Sequence, residues 1–316
     1  MRKLSRTNNQ KTKNKIEVMK QKVQLAIQTL YDCPPLSIKE AGKGFYGRVF
    51  KVTLAVAPFV LSVKLFDEPQ YMVMQASEQG FMHSLGVVKV PAVFHVFQTQ
   101  DTNALVMEWA EGDNLGQMPL PNQPTRDAIG WDVVDQAVAL HGVTNKTYGY
   151  LSGKQYPTWQ SFYRDLSSQM LDRINSGSDR GLLDKAYLEL MQYAYEHFDD
   201  IFSEQVVAPS LLHGDLNIGN VIVQDDAVSA IIDPMGVMWG DRELELFQFE
   251  CSGSGKYDLL EKYFSINTPS KKFELKNAYY KTFAEANHYA RIDHPQDDNL
   301  LEFLAQLERM IVKYHL

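Results

Sequence analysis

The chain begins with a helical pattern of apolar residues and then changes to a β-rich one. Over residues 16–30, apolar side chains recur at three- and four-residue intervals, which places them on one face of a predicted helix. Two runs rich in β-branched and aromatic residues follow at 48–54 and 59–66. Because only a short, proline-containing link separates these two runs, they predict an antiparallel hairpin.

The next predicted elements complete a small sheet that carries one helix. Pro69 suits the first turn of a helix and Gly86 suits the residue after its end, so residues 70–85 are predicted to be helical. Apolar runs at 93–97 and 104–108 predict two further strands. This part of the chain is therefore expected to form a mainly antiparallel sheet with a single helix.

Beyond residue 112 long helical patterns dominate. They cover residues 125–141, 158–174 and 182–198, and similar patterns continue to the C-terminus. One β-rich island interrupts them at 210–232, where the last two short runs are joined by a Gln-Asp-Asp turn. The whole pattern predicts an α+β, two-lobed fold with a small N-terminal antiparallel sheet and a larger, mainly helical C-terminal lobe.

Length and composition allow this division. The 316 residues, 45% of them hydrophobic, can supply two modest cores without disulfides or metals. We therefore divide the chain into a basic N-terminal arm and helix at 1–36, an N-terminal lobe at 37–110 and a helical C-terminal lobe at 111–316.

The net charge of −8 is distributed unevenly. Residues 1–22 carry eight Lys or Arg and one acid, a net charge of +7, whereas the remainder has 23 basic and 38 acidic residues, a net charge of −15. The basic segment has no interleaved aromatic residues, so a solvated arm is favoured over a nucleic-acid-binding one, and no nucleic-acid partner is expected. The acidic body suits a cationic small molecule.

Cysteine usage and hydropathy predict a cytoplasmic, soluble protein. Cys33 and Cys251 lie far apart without the spacing of metal ligands, and the N-terminus lacks the apolar run of a secretory signal. No stretch approaches the ~20 consecutive apolar residues that cross a bilayer, so no membrane span is expected.

Three glycines lie just before the predicted hairpin. Gly42, Gly44 and Gly47 fit G-x-G-x-x-G, and Val49 extends the match to the glycine loop of kinases. A dinucleotide-binding turn opens a helix, whereas β-rich sequence follows these glycines. The sequence favours a hairpin loop over the phosphates of ATP, where glycine lets backbone N–H groups approach closely, with an ordinary glycine turn as the alternative.

A lysine interrupts the apolar strand that follows. Lys64 lies in Val-Leu-Ser-Val-Lys, where its burial costs desolvation unless an anionic group meets it. The phosphates of ATP and a carboxylate on the next helix are the natural partners, and Glu78 is the candidate carboxylate. Solvent-facing positions for both side chains are the alternative.

The segment from His213 to Asn220 has the spacing of a phosphotransfer loop. Asp215 precedes Asn220 by five residues, and Asp233 follows at the end of an apolar strand. Asp215 is expected to accept the proton of the acceptor hydroxyl, while the oxygens of Asn220 and Asp233 are expected to bind Mg²⁺. We expect His213 to brace the loop rather than transfer protons.

The motifs resemble those of the aminoglycoside phosphotransferase and fructosamine kinase superfamily of protein-kinase-like small-molecule kinases. The resemblance is carried by Leu-Leu-His-Gly-Asp-Leu-Asn-Ile-Gly-Asn at 211–220, by Ile-Ile-Asp-Pro at 231–234 and by Gly-Asp-Arg-Glu-Leu-Glu at 240–245. It implies a protein-kinase-like fold, ATP and Mg²⁺ as cofactors, and an ATP-binding hinge at 107–110, which makes Glu108 and Ala110 candidate nucleotide contacts. It also implies an acceptor pocket lined by the helical lobe.

Three departures separate the chain from protein kinases. Gly214 replaces the arginine of H-R-D, Pro234 replaces the phenylalanine of D-F-G, and no A-P-E motif follows. A small acceptor is therefore expected.

Several residues near these motifs have two interpretations. Arg242, Glu243 and Glu245 could contact substrate or brace the catalytic loop. Trp159 and Phe162 could wall a sugar pocket, but their helical spacing is also typical of core residues.

The combined features predict an ATP-dependent kinase that phosphorylates a hydroxyl of a sugar amine or ketosamine. An antibiotic kinase of the aminoglycoside type is the close alternative. A non-catalytic nucleotide-binding interaction module is the alternative of another class.

Overall fold

A computed structural model describes the backbone of residues 2–44, 46–251 and 253–316, and the side chains of these ranges from residue 14 onward. The chain divides into two compact units, Met1–Leu115 with Asn220–Met235, and Gly116–Gly219 with Gly236–Leu316. In the described part of the chain, no helix combines the length and apolar character needed to span a bilayer.

The first unit contains a five-stranded antiparallel sheet and two helices. The strand order is β1-β2-β3-β5-β4. The elements are α1 (Arg2–Tyr31), β1 (Ser37–Lys43), β2 (Gly47–Thr53), β3 (Val60–Phe66), α2 (Pro69–Leu85), β4 (Val93–Gln98) and β5 (Asn103–Glu108). The predicted hairpin, helix and two later strands are all present.

The two faces of this sheet are covered by different helices. Val23, Ala26 and Ile27 of α1 pack on a core that includes Leu61 and Val63 of β3. Because side chains alternate across a strand, the intervening positions of β3 face the other way. There Phe66 packs with the buried Met72 of α2. Lys64 also lies on this second face. Side chains of α2 can therefore reach it as polar partners.

The caps of α2 follow the sequence prediction. Pro69 stands at the start of the helix, where its missing N–H costs nothing. Gly86 ends it in the left-handed conformation, with φ 62°, and donates its N–H to the carbonyl of His83.

A small three-stranded sheet joins two distant segments of the first unit. Its order is β10-β9-β6, with β6 at Asp113–Asn114, β9 at Val221–Gln224 and β10 at Ala227–Ile231. Asp225 and Asp226 both have positive φ, as a two-residue hairpin turn requires. The sequence had grouped this segment with the helical lobe. The predicted helical lobe at 111–316 contains β6 as well, and that division of the chain stays a prediction. In the structure β6 and β9 both lie in the first compact unit, where Ile231 N also donates to Lys89 O.

The second unit is mainly helical. Its described α-helices and strands are α3 (Gln123–His141), β7 (Gly149–Tyr150), α4 (Trp159–Asp179), α5 (Lys185–Glu196), α6 (Phe198–Ile201), β8 (Ser210–Leu212), β11 (Met238–Gly240), α7 (Leu259–Ile266), α8 (Phe273–Arg291) and α9 (Asp298–Lys313). Two 3-10 helices, Arg242–Phe249 and Ser254–Tyr257, lie between β11 and α7. Three of these strands form a short sheet of order β7-β11-β8, and β8 leads directly into the catalytic-loop segment. The largest differences from the predicted helix bounds are that α4 extends to Asp179 and that α5 begins at Lys185, because Gly181, with φ 76°, forms the turn between them.

The core of the second unit is rich in aromatic rings. Trp159 and Phe162 are 1% and 4% exposed, and Trp159 stacks on Tyr163 with ring centroids 5.0 Å apart. The indole N–H of Trp159 donates to the hydroxyl of Tyr280. These two residues therefore belong to the core, the second of the two interpretations given above.

Candidate active site

The glycine loop is the turn of the β1–β2 hairpin. Lys43 pairs with Arg48 across the hairpin, and Gly44 N donates to Gly47 O at 2.9 Å. A Cβ at position 47 would collide with the carbonyl oxygen of Leu65, so β2 and β3 pack as closely as they do only because residue 47 is glycine. Phe45, at the centre of the predicted loop, lies outside the described residues.

Lys64 is buried, and Asp233 and Gln75 lie close to its ammonium group. Its side chain is only 5% exposed, and Nζ lies 3.1 Å from Asp233 Oδ2. Nζ also donates to Gln75 Oε1 at 2.8 Å. The structure thus brings together two of the predicted site residues, Lys64 and Asp233, which are 169 positions apart in sequence.

Gln75 is a residue of this site that was not predicted from the sequence. It lies on α2, is fully buried, and donates from Nε2 to Asp233 Oδ1 at 2.8 Å while it accepts from Lys64. The sequence pointed to a carboxylate, Glu78, one helical turn further on. Glu78 is also buried, at 7% exposure, and its role as the partner of Lys64 stays a prediction. A polar residue on the buried face of α2 was the signal that could have found Gln75.

Asp233 and Asn220 lie on neighbouring segments. Ile232 N donates to Asn220 O at 2.9 Å, so the residue before Asp233 is tied directly to Asn220. Asp233 has φ 55°, and its side chain is 30% exposed. Within the described ranges, no group of three or more His, Cys, Asp or Glu side chains gathers in a metal-ligand cluster. One carboxylate and one amide are nevertheless the oxygen donors that suit Mg²⁺, which takes few protein ligands.

The predicted hinge contacts Glu108 and Ala110 lie at the end of β5 and just after it. Glu108 ends β5, and its carboxylate accepts from Ala92 N at 3.1 Å, which ties β5 to the segment before β4. Ala110 comes two residues later, after Trp109, whose indole ring lies 4.4 Å from the ammonium group of Lys51. The predicted contacts of Glu108 and Ala110 with a nucleotide stay predictions.

In the second unit, Asp215 is oriented by a neighbouring amide. Asn217 Nδ2 donates to Asp215 Oδ1 at 2.7 Å, and Asn217 Oδ1 accepts from Gly219 N at 2.8 Å. A single side chain therefore links the carboxylate to the backbone of its own loop. Asp215 N also lies 3.3 Å from His213 Nδ1, a contact that fits the bracing role expected of the histidine.

The carboxylate of Glu245 binds the backbone of the same loop. Its carboxylate accepts from Gly214 N at 2.6 Å, from His213 N at 3.2 Å and from His141 Nε2 at 3.0 Å. Because a carboxylate only accepts, His141 Nε2 carries a proton, and Nδ1 of the same ring pairs with Tyr263 OH at 2.8 Å. Burial alone would raise the pKa of Glu245, but these donors and the neighbouring imidazoles outweigh it and hold the pKa below its usual value.

We expect Glu245→Gln to destabilise the fold and slow turnover together. The amide leaves a buried donor facing loop N–H groups, a loss of about 1–3 kcal/mol of unfolding free energy. Because the pKa of Glu245 is lowered in the fold, its stabilisation is present above the ordinary value of 4.5 and disappears as the pH falls below it. We therefore expect the difference in unfolding free energy between Glu245→Gln and the unmodified protein to be smaller below pH 4.5 than at pH 7, as measured by urea unfolding.

The exposed Glu302 provides a matched control for this variant. Glu302→Gln should alter neither unfolding nor turnover. Equal urea midpoints for Glu245→Gln and the unmodified protein at pH 7 would contradict a bracing role.

A buried ion cluster follows the metal-candidate aspartate in sequence. Lys276 Nζ lies 2.6 Å from Asp241 Oδ2 and 2.8 Å from Glu243 Oε2, and all three residues are at most 6% exposed. Tyr280 OH also donates to Asp241. Glu243 is thus held inside the second unit by Lys276, and Arg242 donates to Asn267 Oδ1 at 2.9 Å. None of these partners lies in the catalytic loop, so the choice between substrate contact and bracing stays a prediction for both residues.

Known proteins with similar sequences include a probable ketoamine kinase and a protein-ribulosamine 3-kinase. The probable ketoamine kinase of Enterococcus faecium is 23% identical over 243 residues, which are 72% of this chain and 81% of that protein. The chloroplastic protein-ribulosamine 3-kinase of Oryza sativa subsp. indica is 31% identical over 106 residues, 34% of this chain. That match spans only 30% of the rice protein.

Solved structures confirm the predicted kinase-like α+β fold. The candidate fructosamine-3-kinase of Haemophilus somnus 129PT superposes with a TM-score of 0.72 at 15% identity, covering 92% of this chain and 96% of that one. A thermostable mutant of the aminoglycoside phosphotransferase APH(4)-Ia, in a ternary complex with AMP-PNP and hygromycin B, gives a TM-score of 0.67 at 14% identity over 93% of this chain and 98% of that one.

A family model gives the most direct assignment. The model of the phosphotransferase enzyme family, APH, matches residues 37–249, which include the glycine hairpin, Lys64, the catalytic-loop segment and Asp233. The sequence-based predictions of the superfamily and of an enzyme are thereby confirmed. The chain belongs to the phosphotransferase enzyme family.

Proposed function

We propose that the chain is an ATP- and Mg²⁺-dependent kinase that transfers the γ-phosphoryl group to a hydroxyl of a ketosamine or related sugar amine. The observation that carries this proposal is the buried Lys64 ammonium group, held 3.1 Å from the Asp233 carboxylate and 2.8 Å from Gln75. A cation and a metal-type ligand held side by side suit a bound metal–phosphate group.

In this proposal the first unit holds the nucleotide. Lys64 contacts phosphate oxygens, the hairpin of Gly42, Gly44 and Gly47 covers them, and the segment with Glu108 and Ala110 contacts the base. Asn220 and Asp233 hold the metal through oxygen atoms. When bound, Mg²⁺ neutralises phosphate charge, and ATP supplies the group that is transferred.

Asp215 acts on the acceptor. Its carboxylate accepts the proton of the acceptor hydroxyl as the oxygen attacks phosphorus, and the bond from phosphorus to the ADP oxygen breaks. Asn217 supports this role because its amide fixes one carboxylate oxygen at 2.7 Å. Positioning and charge stabilisation supply most of the catalysis in phosphoryl transfer, so a correctly aimed carboxylate is sufficient.

The acceptor class rests on the relatives together with the charge of the chain. The curated relatives from Enterococcus faecium and rice are named as ketoamine and ribulosamine kinases. The body of this chain, residues 23–316, has a net charge of −15 and suits a cationic amine. The fold likeness to APH(4)-Ia keeps an aminoglycoside as the second candidate. A cytoplasmic location, as expected from the sequence, is part of the proposal.

An acceptor panel tests the proposal. The protein is incubated with ATP and Mg²⁺ together with ketosamines, aminoglycosides, choline or simple sugars, and ADP release is followed. We expect release stimulated by ketosamines and suppressed in Asp215→Asn. Stimulation by aminoglycosides alone would select the second candidate, and no stimulation across the panel would overturn the kinase proposal.

A further inference from the structure

A fully buried amide contacts both charged groups of the proposed nucleotide site. Gln75 is 0% exposed and contacts Lys64 through Oε1 and Asp233 through Nε2, each at 2.8 Å. The ammonium group can only donate and the carboxylate can only accept. The chemistry of the two partners therefore fixes which way the amide points.

The second N–H of Gln75 is also engaged. Nε2 lies 3.4 Å from Gln79 Oε1, and Gln79 in turn donates to the carbonyl of Pro91 at 2.9 Å. Two stacked amides on one face of α2 thus connect the charged pair to the segment that precedes β4. Because every polar atom of the Gln75 side chain has a partner, its rotamer is strongly restricted.

A carboxylate could not replace this amide. Glutamate at position 75 would keep an acceptor for Lys64 but would place a second carboxylate oxygen against Asp233. Two carboxylates at that separation repel, and one of them moves away or takes up a proton. An apolar side chain of similar length would lose both contacts and leave the buried Lys64 with one fewer acceptor.

We propose that Gln75 is a positioning residue that sets Lys64 for phosphate and Asp233 for the metal through opposite ends of one amide. This inference rests on the proposed function, because it concerns the same nucleotide site. The contacts of Gln75 give a neutral side chain a share in placing Lys64. The predicted role of the Glu78 carboxylate as a partner of Lys64 stays a prediction.

Two variants separate the ends of the amide. Gln75→Glu keeps an acceptor for Lys64 but replaces the donor to Asp233, whereas Gln75→Met removes both. Equilibrium binding of ADP is measured by calorimetry with and without Mg²⁺, so the readout is independent of turnover. In Gln75→Glu we expect ADP affinity without Mg²⁺ to change little, and the gain in affinity on adding Mg²⁺ to fall by about tenfold or more. In Gln75→Met both quantities should fall.

Thr282→Val is the control. It removes a buried side-chain hydrogen bond from Thr282 Oγ1 to the carbonyl of Phe303 in the second unit, so it should lower the melting temperature but keep the Mg²⁺ effect on ADP binding. If both folded Gln75 variants keep the full gain in ADP affinity on adding Mg²⁺, the positioning role of Gln75 is overturned, whereas the proposed function is not. Absence of Mg²⁺-dependent ADP binding in the unmodified protein would overturn the proposed function, and the inference with it.

Discussion

Asp215→Asn should lower kcat by about 10²- to 10⁴-fold, the range that a positioned general base contributes. Asparagine has the same shape but cannot take up the proton of the acceptor hydroxyl. Its side-chain oxygen can still accept from Asn217, which now bonds Asp215 Oδ1 at 2.7 Å, so the loop should keep its conformation. Steady-state kinetics with a stimulating acceptor, together with ADP binding, would measure the effect.

The control for this variant is Asp226→Asn. Asp226 lies in the exposed turn between β9 and β10, where a positive φ is tolerated well by asparagine. That variant should match the unmodified protein in kcat. Asp215→Asn should bind ADP normally, and turnover within a few-fold of the unmodified protein would show that another group accepts the proton.

Lys276→Met should cause the largest loss of stability. The substitution preserves length but leaves the carboxylates of Asp241 and Glu243 buried beside each other without their cation. Removal of one partner from a buried ion pair costs about 3–5 kcal/mol. Urea unfolding of Lys276→Met and of the unmodified protein at pH 7 would measure this loss of unfolding free energy, as a shift in the urea midpoint at a constant slope.

The pH dependence of this effect has a defined sign. Burial alone would lower the pKa of Lys276, but the charges of Asp241 and Glu243 outweigh it and raise the pKa above the ordinary 10.5. A raised lysine pKa stabilises the fold fully below the ordinary value, and this stabilisation is lost as the pH rises beyond it. The difference in unfolding free energy between Lys276→Met and the unmodified protein should therefore stay constant through neutral pH and decrease only above about pH 10.5.

Lys313→Met tests whether burial is the cause. Lys313 pairs with Glu274 at the surface, where both side chains are more than half exposed. Surface ion pairs contribute little because water screens them, so this variant should unfold almost as the unmodified protein does. Equal losses in Lys276→Met and Lys313→Met would contradict the buried-cluster explanation.

The parts of the fold that depend on neighbouring residues were predictable from the sequence. The limits of α2 followed from Pro69 and Gly86, because proline and glycine restrict the backbone locally. The β9–β10 hairpin followed from its two aspartates, which adopt positive φ in the turn. Later elements were less exact: α5 begins at Lys185 rather than at residue 182, because the turn at Gly181 depends on how far α4 continues.

The chemistry of the site was predictable in kind but not in its contacts. The order of the glycines, Lys64, Asp215, Asn220 and Asp233 sufficed to predict a phosphotransferase, which the family match confirms. A polar residue on the buried face of α2 was a signal for Gln75, but it did not single this residue out as a partner of Lys64, because spacing along α2 allows several residues to reach the sheet. A carboxylate was sought because electrostatics favours it next to a lysine.

What the sequence determined by itself was the local structure and the set of reactive groups, since periodicity, caps and turns act over a few residues. The tertiary structure alone decided which groups meet. It joined Asn220–Met235 to the first unit through β6, placed Lys64 beside Asp233, and buried Lys276 between two acids. These contacts link residues as many as 169 positions apart, so they depend on strand register and helix packing, which no short window of sequence specifies.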